Sequence, residues 1–389
     1  MPVLYPVASR LHDREKVERI IDTYVGKLHV ACVSEVPPEG VVLILLCTGG
    51  TEDLVVEAAR INPNIILLAH EGQNSLPAAL EVAAWMKRMG ISSRIIFGLD
   101  DANITEIETV SRVFETAKAL KNSRIGIFGF PSPWLISIPN FFRAEKRFGV
   151  KFVHIDLSFV LREMSAIALD KENPDLERVE CTRKDIEKAL TLYYALSNII
   201  EREKLQAVGL KCFDLIELIT TTGCLAVSFL NDAGIAAGCE ADIPATFTMY
   251  VMQLLTKNPT FMGNPSSVSE DEILLTHCTI ATQLAKTYRL RSHYESGIGV
   301  SIEGTLSKTP VTLAQIDAEF QKMVLVEGKI LGSGMNFPEL CRTQMRVKLE
   351  SAQDLLKKSL GNHLVLSPGK HKKILKEFCN HYELEIVEI

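Results

Sequence analysis

The chain lacks the features that would indicate a nucleic-acid or membrane partner. No block of Lys or Arg occurs in its 389 residues, and the formal net charge is −6. This charge balance argues against nucleic acid or an anionic membrane as the main partner. The apolar runs, such as VVLILLC at 41–47, are too short to cross a bilayer. The sequence therefore predicts a soluble protein that works on a small molecule.

Paired cysteine motifs are also lacking, and no leader sequence is expected. The nine cysteines are an odd number and include no CxxC pair. Thiols scattered in this way are typical of reduced, mostly buried side chains in an intracellular protein. The first residues, MPVLYPVASRLHDREK, contain no apolar core of a signal peptide. We expect a cytoplasmic protein.

The common nucleotide and nucleophile motifs are missing. The segment CTGGTED at 47–53 follows an apolar run and invites comparison with a phosphate loop, but neither GxGxxG nor GxxxxGK[ST] occurs. A tight strand-to-helix turn is the favoured interpretation, and an NAD-dependent dehydrogenase is disfavoured. No GxSxG sequence indicates a serine nucleophile.

The first part of the chain alternates short apolar runs with helical patterns. The runs are of buried-strand length and fall at 41–47, 65–69, 94–97, 124–130 and 151–155. Strand and helix in alternation, with few hairpin signals, predict a doubly wound parallel sheet of the Rossmann or flavodoxin type. We assign residues 1–156 to this N-terminal α/β domain.

The remainder changes character near Phe261. Residues 157–262 continue as β/α, with a long helix at RKDIEKALTLYYALSNIIEREK and a strand at QAVGLKC, and are predicted to form a central α/β domain. Residues 263–389 contain several strands separated by Gly, Pro and Ser, among them EILLTHCTIA, GIGVSIEG, QMRVKLE and HLVLS. This pattern of short strands and turn residues predicts a mainly antiparallel β-barrel as the third domain.

Two acids in the stretch GCEADIPATFTMY have different explanations. Asp242 precedes Pro244 and an apolar stripe, which is the pattern of a helix N-cap. Glu240 precedes the cap and follows a short strand, at the end of the strand where α/β proteins collect ligands. It can be a metal ligand, a general base or a solvated loop residue.

Other candidate ligands follow downstream. Asn264 lies in FMGNP, His277 in LLTHCTIA and His363 in GNHLVLS. Carboxylate, amide oxygen and imidazole together suit Mn²⁺, Mg²⁺ or Co²⁺ better than a closed thiolate zinc site. Each histidine taken alone can equally be structural. In HEGQNSLPA, Gln73 and Asn74 suit sugar hydroxyls, or Asn74 or Ser75 caps the next helix.

These motifs together resemble the L-fucose isomerase/L-arabinose isomerase superfamily. The resemblance rests on GCEADIPATFTMYVMQLLT, PTFMGNP, THCTIA, LRSHYESGIGVSIEG, CRTQMRV and GNHLVLS, and is best over 205–389. It implies two α/β domains and a C-terminal barrel. It also implies aldose–ketose isomerisation through an enediol, a divalent cation that is usually Mn²⁺, and a trimer or hexamer. In such oligomers Gln73 and Asn74 would act across a subunit interface.

The resemblance also implies roles for individual residues. Glu240 matches the glutamate that binds the metal and carries the proton between C1 and C2. His277 and His363 match ligand histidines. Asn264 stands where the fucose isomerases have a metal-binding aspartate, and its neutral side chain holds a hard cation more weakly. A non-catalytic sugar-binding or regulatory relative is therefore the alternative.

Further residues are expected around the substrate. His293 and Glu295 in RSHYESG and Arg342 in CRTQ are the candidate substrate contacts, and Asp242 is a candidate second acid–base group. Arg342 suits either an inter-domain ion pair or a bidentate contact to an anionic tail. An isomerase for a sulfo- or phospho-sugar thus stands beside one for a plain pentose or deoxyhexose.

Overall fold

The computed structural model describes residues 2–168 and 177–389. The chain divides into two compact units, Met1–Lys118 and Ala119–Ile389. The domain limits predicted from the sequence stay a prediction.

The first unit contains a five-stranded parallel sheet with the order β2-β1-β3-β4-β5. Its strands are β1 (Val3–Val7), β2 (Ala31–Cys32), β3 (Val42–Leu46), β4 (Ile65–Ala69) and β5 (Ser93–Phe97). Its helices are α1 (Arg14–Leu28), α2 (Glu52–Ile61), α3 (Ser75–Arg88) and the start of α4 (Asp101–Lys121). Every residue of β3 and β4 is buried. Alternate residues of these strands enter two separate apolar clusters, because helices cover both faces of the sheet.

The segment after β3 is the tight turn that the sequence predicts. The Gly49 N–H donates to the Gln73 carbonyl at 2.7 Å, and a Cβ atom on Gly49 would meet the Asn74 Cβ at 2.8 Å. The prediction that the side chain of Asn74 or Ser75 caps α3 is wrong. Asn74 occupies the cap position without a side-chain hydrogen bond to the helix, and the Ser75 hydroxyl instead accepts from the His70 N–H at 3.1 Å.

The α/β part of the second unit is a four-stranded parallel sheet with the order β7-β6-β8-β9. Its strands are β6 (Arg124–Phe128), β7 (Lys151–Ile155), β8 (Ala207–Leu210) and β9 (Ala236–Cys239). Its helices are α5 (Phe141–Phe148), α6 (Leu157–Ala166), α7 (Arg183–Glu203), α8 (Cys212–Ile219), α9 (Cys224–Asp232) and α10 (Ile243–Thr256). Strand β6 thus pairs with its neighbour in the chain, β7, on one side and with β8, which comes far later in the chain, on the other.

The rest of the second unit is built around a closed antiparallel barrel. Its strands are β10 (Phe261–Val268), β11 (Glu272–His277), β12 (Thr287–Arg291), β13 (Ser301–Thr305), β14 (Pro310–Ile316), β15 (Lys322–Ser333), β16 (Thr343–Lys348), β17 (Leu364–Pro368) and β18 (Glu385–Glu388). Its helices are α11 (Leu355–Lys358), α12 (Lys372–Tyr382) and two short 3₁₀ turns, Thr282–Leu284 and Ala352–Asp354. Six strands run in the order β14-β17-β10-β11-β16-β15, and pairing of β14 with β15 closes the ring. The predicted fold class is confirmed.

Aromatic packing fixes α10 against the barrel. The Phe148 ring lies 4.7 Å from Phe247 of α10, and Phe247 lies 5.5 Å from Phe320 in the turn between β14 and β15. Phe378 of α12 stacks on Phe148 at 6.2 Å. Burial of such rings is among the larger apolar contributions to a core. This cluster sets the position of α10, whose first residues carry the candidate site.

None of the helices in the described ranges is long and apolar enough to span a membrane.

Candidate active site and metal centre

Glu240 lies in a strained turn between β9 and α10. It has a φ of 61°, and the following Ala241 has a φ of 51°. Two successive non-glycine residues in the left-handed region are costly and persist only where the surroundings hold them. The Ala241 N–H donates to the Leu210 carbonyl at 3.0 Å, and the Ser132 N–H donates to the Glu240 carbonyl at 2.9 Å. The side chain of Glu240 is only 8% exposed, so the solvated-loop alternative does not apply.

Asp242 uses its two carboxylate oxygens for different partners. Oδ1 accepts from the Ala245 N–H at 3.0 Å, and this confirms the predicted N-cap of α10. Oδ2 lies 2.8 Å from Nδ1 of His363. A carboxylate in this position fixes the tautomer and orientation of a histidine, which leaves Nε2 to face the site.

Glu240, His277 and His363 form one buried cluster. One ligand atom from each lies within 4.8 Å of the others. Glu240 Oε1 is 3.5 Å from His363 Nε2, and the centres of the two imidazole rings are 5.5 Å apart. The three residues come from the β9–α10 turn, the last position of β11 and the position before β17. The fold therefore brings together three of the four predicted ligands.

The donor atoms of this cluster fit a divalent cation. His277 Nδ1 and His363 Nε2 are buried and have no hydrogen-bond partner among residues 2–168 and 177–389. Buried polar atoms of this kind call for an explanation, and a bound ion is one. One carboxylate and two imidazoles are ligands that Mn²⁺, Co²⁺ and Zn²⁺ accept.

Asn264 shares a strand pair with His363. Gly263 of β10 pairs with Leu364 of β17, so Asn264 and His363 take the next positions along the two strands. The Asn264 Oδ1 atom is also buried without a hydrogen-bond partner. The amide oxygen has the chemistry of a neutral ligand. Its place in the coordination set stays a prediction.

The three residues of the cluster have shifted pKa values, which leave His277 and Glu240 ready to bind an ion but protonate His363. Burial, helped by the neighbouring His363, lowers the pKa of His277 to about 4, so this imidazole is neutral at pH 7. Burial alone would lower the pKa of His363 as well, but the hydrogen bond to Asp242 and the charges of Asp242 and Glu240 raise it to about 9. Burial would raise the pKa of Glu240, but His363 and Trp134 bring it down to about 2. Without an ion, His363 therefore carries a proton and Glu240 is ionised.

The predicted substrate contacts lie on the segment that follows β12. His293 is 7% exposed, and its Nδ1 lies 3.1 Å from the Ser296 hydroxyl. Burial would lower the pKa of His293, but a hydrogen bond with Cys278, the residue after His277, raises it overall. Glu295 is on the exposed side of this segment. Contact of either residue with a substrate stays a prediction.

Arg342 is already engaged by protein groups. Its Nε–H donates to the Ser292 carbonyl at 3.0 Å, and its guanidinium lies 3.7 Å from the Glu180 carboxylate. The ion-pair interpretation thus has a partner, while a contact to an anionic substrate stays a prediction. Gln73 and Asn74 belong to the first unit, where both are exposed, have positive φ and follow β4.

Two residues near the cluster were not anticipated. Trp134, in the loop after β6, donates its indole N–H to Glu240 Oε2 at 2.6 Å. Gln315 of β14 donates to the His363 carbonyl at 2.7 Å and accepts from the Leu360 N–H at 3.2 Å, which holds the turn before β17. Both line a cleft of about 160 Å³ beside Asp242. The position of Trp134 at the carboxyl end of a parallel strand was the one available signal.

The chain is similar in sequence to several sugar isomerases. No family model matches the chain. Over 314 residues it is 22% identical to a sulfoquinovose isomerase of Alkalicoccus urumqiensis, covering 75% of this chain and 70% of that protein. Sulfoquinovose isomerases of Clostridium sp. (strain MSTE9) and Priestia aryabhattai are 28% and 23% identical over 237 and 180 residues. The matched parts cover 55% and 43% of this chain, and 51% and 40% of those relatives. These similarities support the prediction of a sugar isomerase.

Proposed function

We propose that this protein is a metal-dependent aldose–ketose isomerase that works through an enediol intermediate. The observation that carries the proposal is the convergence of Glu240, His277 and His363 in one buried cluster with unpartnered donor atoms. The similarity to sulfoquinovose isomerases supports the same reaction class. We also propose membership of the L-fucose isomerase/L-arabinose isomerase superfamily, on the motifs that contain these residues.

The cofactor would be Mn²⁺, or another divalent cation such as Mg²⁺ or Co²⁺. Glu240, His277 and His363 would hold it, with Asn264 as a neutral oxygen ligand. Bound there, the ion would act as a Lewis acid that polarises the sugar carbonyl and stabilises the charge that develops on its oxygen.

Glu240 is the proposed proton carrier. Its carboxylate is ionised and buried. It can therefore accept a proton from the carbon next to the sugar carbonyl without competition from bulk water. Returning that proton to the neighbouring carbon of the enediol completes the interconversion of aldose and ketose. The strained turn at Glu240 fixes the carboxylate in one place, which serves a group that must reach two adjacent carbons.

Asp242 is proposed to act mainly by positioning. One oxygen caps α10 and the other holds His363, so both contacts of this carboxylate serve to place other groups of the site. The role of second acid–base group, which the sequence suggested for Asp242, therefore has less support than its role beside His363.

An acidic sugar is the favoured substrate class. The relatives are named for sulfoquinovose, a sugar that carries a sulfonate. His293, Glu295 and Arg342 are the proposed substrate contacts on this chain. Arg342 would have to exchange its contact with Glu180 for the anionic group, a change that the 3.7 Å separation and the half-exposed Glu180 permit.

The alternative is a non-catalytic sugar-binding or regulatory relative, which Asn264 favours. To decide between them, the Mn²⁺-loaded protein is incubated in D₂O with sulfoquinovose, L-fucose, L-arabinose and phosphorylated aldoses. Proton NMR follows formation of the ketose and loss of the C2 hydrogen. Conversion of one sugar is expected. Stoichiometric sugar binding without conversion or exchange of any sugar would establish the alternative instead.

A homo-oligomer, trimer or hexamer, is the proposed assembly. The segment after β6 exposes several large apolar side chains, namely Phe130, Ile136, Ile138 and Phe142, which are between 64% and 84% exposed. Apolar patches of this kind mark interaction surfaces. Gln73 and Asn74 are proposed to contact the substrate of a neighbouring subunit.

A further inference from the structure

The loop that follows β6 donates two hydrogen bonds to Glu240, one to its backbone and one to its side chain. The Ser132 N–H donates to the Glu240 carbonyl at 2.9 Å, and the Trp134 indole N–H donates to Glu240 Oε2 at 2.6 Å. The Leu135 N–H donates to the Ser132 carbonyl at 2.9 Å, which turns the loop and brings Trp134 back toward the cluster. A single short loop thus holds both the backbone and the side chain of Glu240.

The two oxygens of Glu240 have different surroundings as a result. Oε2 accepts from Trp134, whereas Oε1 faces Nε2 of His363 at 3.5 Å. An indole nitrogen can only donate, so it engages a carboxylate oxygen and has no second hydrogen-bonding mode. A hydrogen bond to an ionised acceptor is also about twice as strong as one between neutral groups. The carboxylate is therefore held against rotation about its last bond.

Trp134 is itself held by packing on its other side. Its ring meets Phe213 of α8 edge-to-face, with centroids 4.9 Å apart at 85°. Half of its surface is exposed, and the residue lines the cleft beside Asp242. The polar edge of the ring reaches Glu240 while its apolar body is anchored on α8. This is the arrangement of a side chain whose N–H has a defined target, since buried or half-buried Trp N–H groups normally find one.

We infer that Trp134 is a positioning residue of this site: its N–H holds Glu240 Oε2, so that Oε1 alone is presented toward His277 and His363. The consequence for turnover rests on the proposed function, because it requires Glu240 to carry the proton. The consequence for metal binding does not depend on any sugar. A partner that orients a metal ligand in this way typically contributes 10–100-fold to metal affinity or activity.

The chain offers a clean test because it contains only two tryptophans, Trp85 and Trp134. Trp85→Phe changes α3 of the first unit and serves as the matched control, with unchanged Mn²⁺ affinity and turnover expected. In that background, biosynthetic replacement of tryptophan by 3-benzothienylalanine alters Trp134 alone. The analogue keeps the shape of the ring and loses the N–H donor. Trp134→Phe provides the same loss by mutation.

In the benzothienyl and Trp134→Phe proteins, the dissociation constant for Mn²⁺ should be 10–100-fold larger, as measured by electron paramagnetic resonance of free Mn²⁺. At saturating Mn²⁺, kcat should fall while KM for the sugar changes little, because the sugar's contacts are untouched. A single 5-fluorotryptophan resonance in the Trp85→Phe protein should shift on adding Mg²⁺. At the Mg²⁺ concentration that saturates the parent, the same resonance should shift less when Glu240 is replaced by Gln, because a charged metal ligand is lost.

The outcomes separate the two proposals. Unchanged Mn²⁺ affinity and kcat in the benzothienyl protein would overturn the role of Trp134, since only packing would then matter. If Trp134→Phe fails to fold, the benzothienyl protein gives the answer, with far-ultraviolet circular dichroism as the check. A parent protein that binds Mn²⁺ but converts no sugar contradicts the proposed function alone. A parent without Mn²⁺ affinity overturns both.

Discussion

Asp242 Oδ2 lies 2.8 Å from His363 Nδ1, although 121 positions separate the two residues in the chain. The same carboxylate caps α10 through Oδ1. The residue that starts the helix therefore also orients the histidine that precedes β17. Because α10 is fixed against the barrel by aromatic packing, this contact links the parallel sheet to the barrel at the candidate metal centre.

Replacement of Asp242 by Asn should separate these two roles. Asn is as good an N-cap as Asp, so a loss of stability in the metal-free Asn variant reports the broken charge pair with buried His363 and not the cap. The charge beside His363 is lost, and Mn²⁺ affinity should fall by roughly 10–100-fold. Isothermal titration and urea unfolding measure the two effects. Ala at the same position, which loses both roles, should lower stability by about a further 1 kcal/mol. Full Mn²⁺ affinity in the Asn variant would show that His363 needs no orienting carboxylate.

Replacement of Glu240 by Gln should remove the proposed proton carrier. The amide keeps the size of the side chain and can still accept the Trp134 hydrogen bond, so the fold should be retained. Loss of a positioned general base costs on the order of 100-fold or more in rate, and a charged metal ligand is lost as well. Exchange of the sugar C2 hydrogen in D₂O, at Mn²⁺ concentrations that saturate the variant, isolates the first effect. Wild-type exchange under these conditions would refute the assignment.

Binding of a divalent ion should release one proton from His363. The neighbouring carboxylates, outweighing burial, raise its pKa to about 9, whereas His277, with a pKa of about 4, and Glu240, with a pKa of about 2, carry no proton at neutral pH. Mn²⁺ affinity should therefore rise about tenfold per pH unit between pH 6.5 and 8.5, since the ion competes with one proton. Titrations in buffers of different ionisation enthalpy count the protons released. A pH-independent affinity would contradict this arrangement.

The metal-free protein should show the opposite trend in stability. A histidine whose pKa is raised by folding stabilises the fold fully below its unfolded value of about 6.5. That contribution is lost as the pH rises through about 9. Urea unfolding in the presence of a chelator should thus show the stability falling between pH 7 and 9. His363→Gln, which removes the titrating group, is the control that should flatten the curve.

The sequence was sufficient for the parts of the site that depend on local pattern. Asp242 was assigned as an N-cap from Pro244 and the apolar stripe, and the structure confirms it. Glu240 stood out because no such explanation covered it. His277 and His363 were candidates because their imidazoles follow Glu240 and Asn264 downstream, and the family resemblance supplied their role as ligands, since a lone histidine carries no local signal of its role.

Other contacts were beyond sequence reasoning for physical reasons. Trp134 follows β6 and Glu240 follows β9, and the two meet because both strands lie beside β8 in a parallel sheet. Local patterns do not specify which parallel strands pair. Similarly, β14 and β15, whose pairing closes the barrel, were not assigned as strands. The left-handed backbone at Glu240 is also unexpected for a non-glycine residue. It is maintained by the Ser132 N–H, which donates to the Glu240 carbonyl, and by the Leu210 carbonyl, which accepts from the Ala241 N–H.

Asn264→Asp tests whether this position contributes to the metal centre. The buried Oδ1 atom of Asn264 lacks a hydrogen-bond partner among the described residues. Gly263 pairs with Leu364, so Asn264 lies next to this pair on β10 and His363 lies next to it on the partner strand's side. A carboxylate there adds a full negative charge, and affinity for hard cations depends on the number of charged ligands. Mn²⁺ should bind roughly tenfold more tightly, while Mn²⁺-free protein should be less stable because two buried carboxylates would then repel each other.

Asn264→Ala is the matched control, which removes the oxygen without adding charge and should weaken Mn²⁺ binding. Both variants are compared by competition with a coloured chelator, and their unfolding is followed without metal. If the Asp and Ala variants bind Mn²⁺ with the parent affinity, Asn264 is not a ligand. The ion would then be held by Glu240, His277 and His363, with water or sugar oxygens completing its coordination.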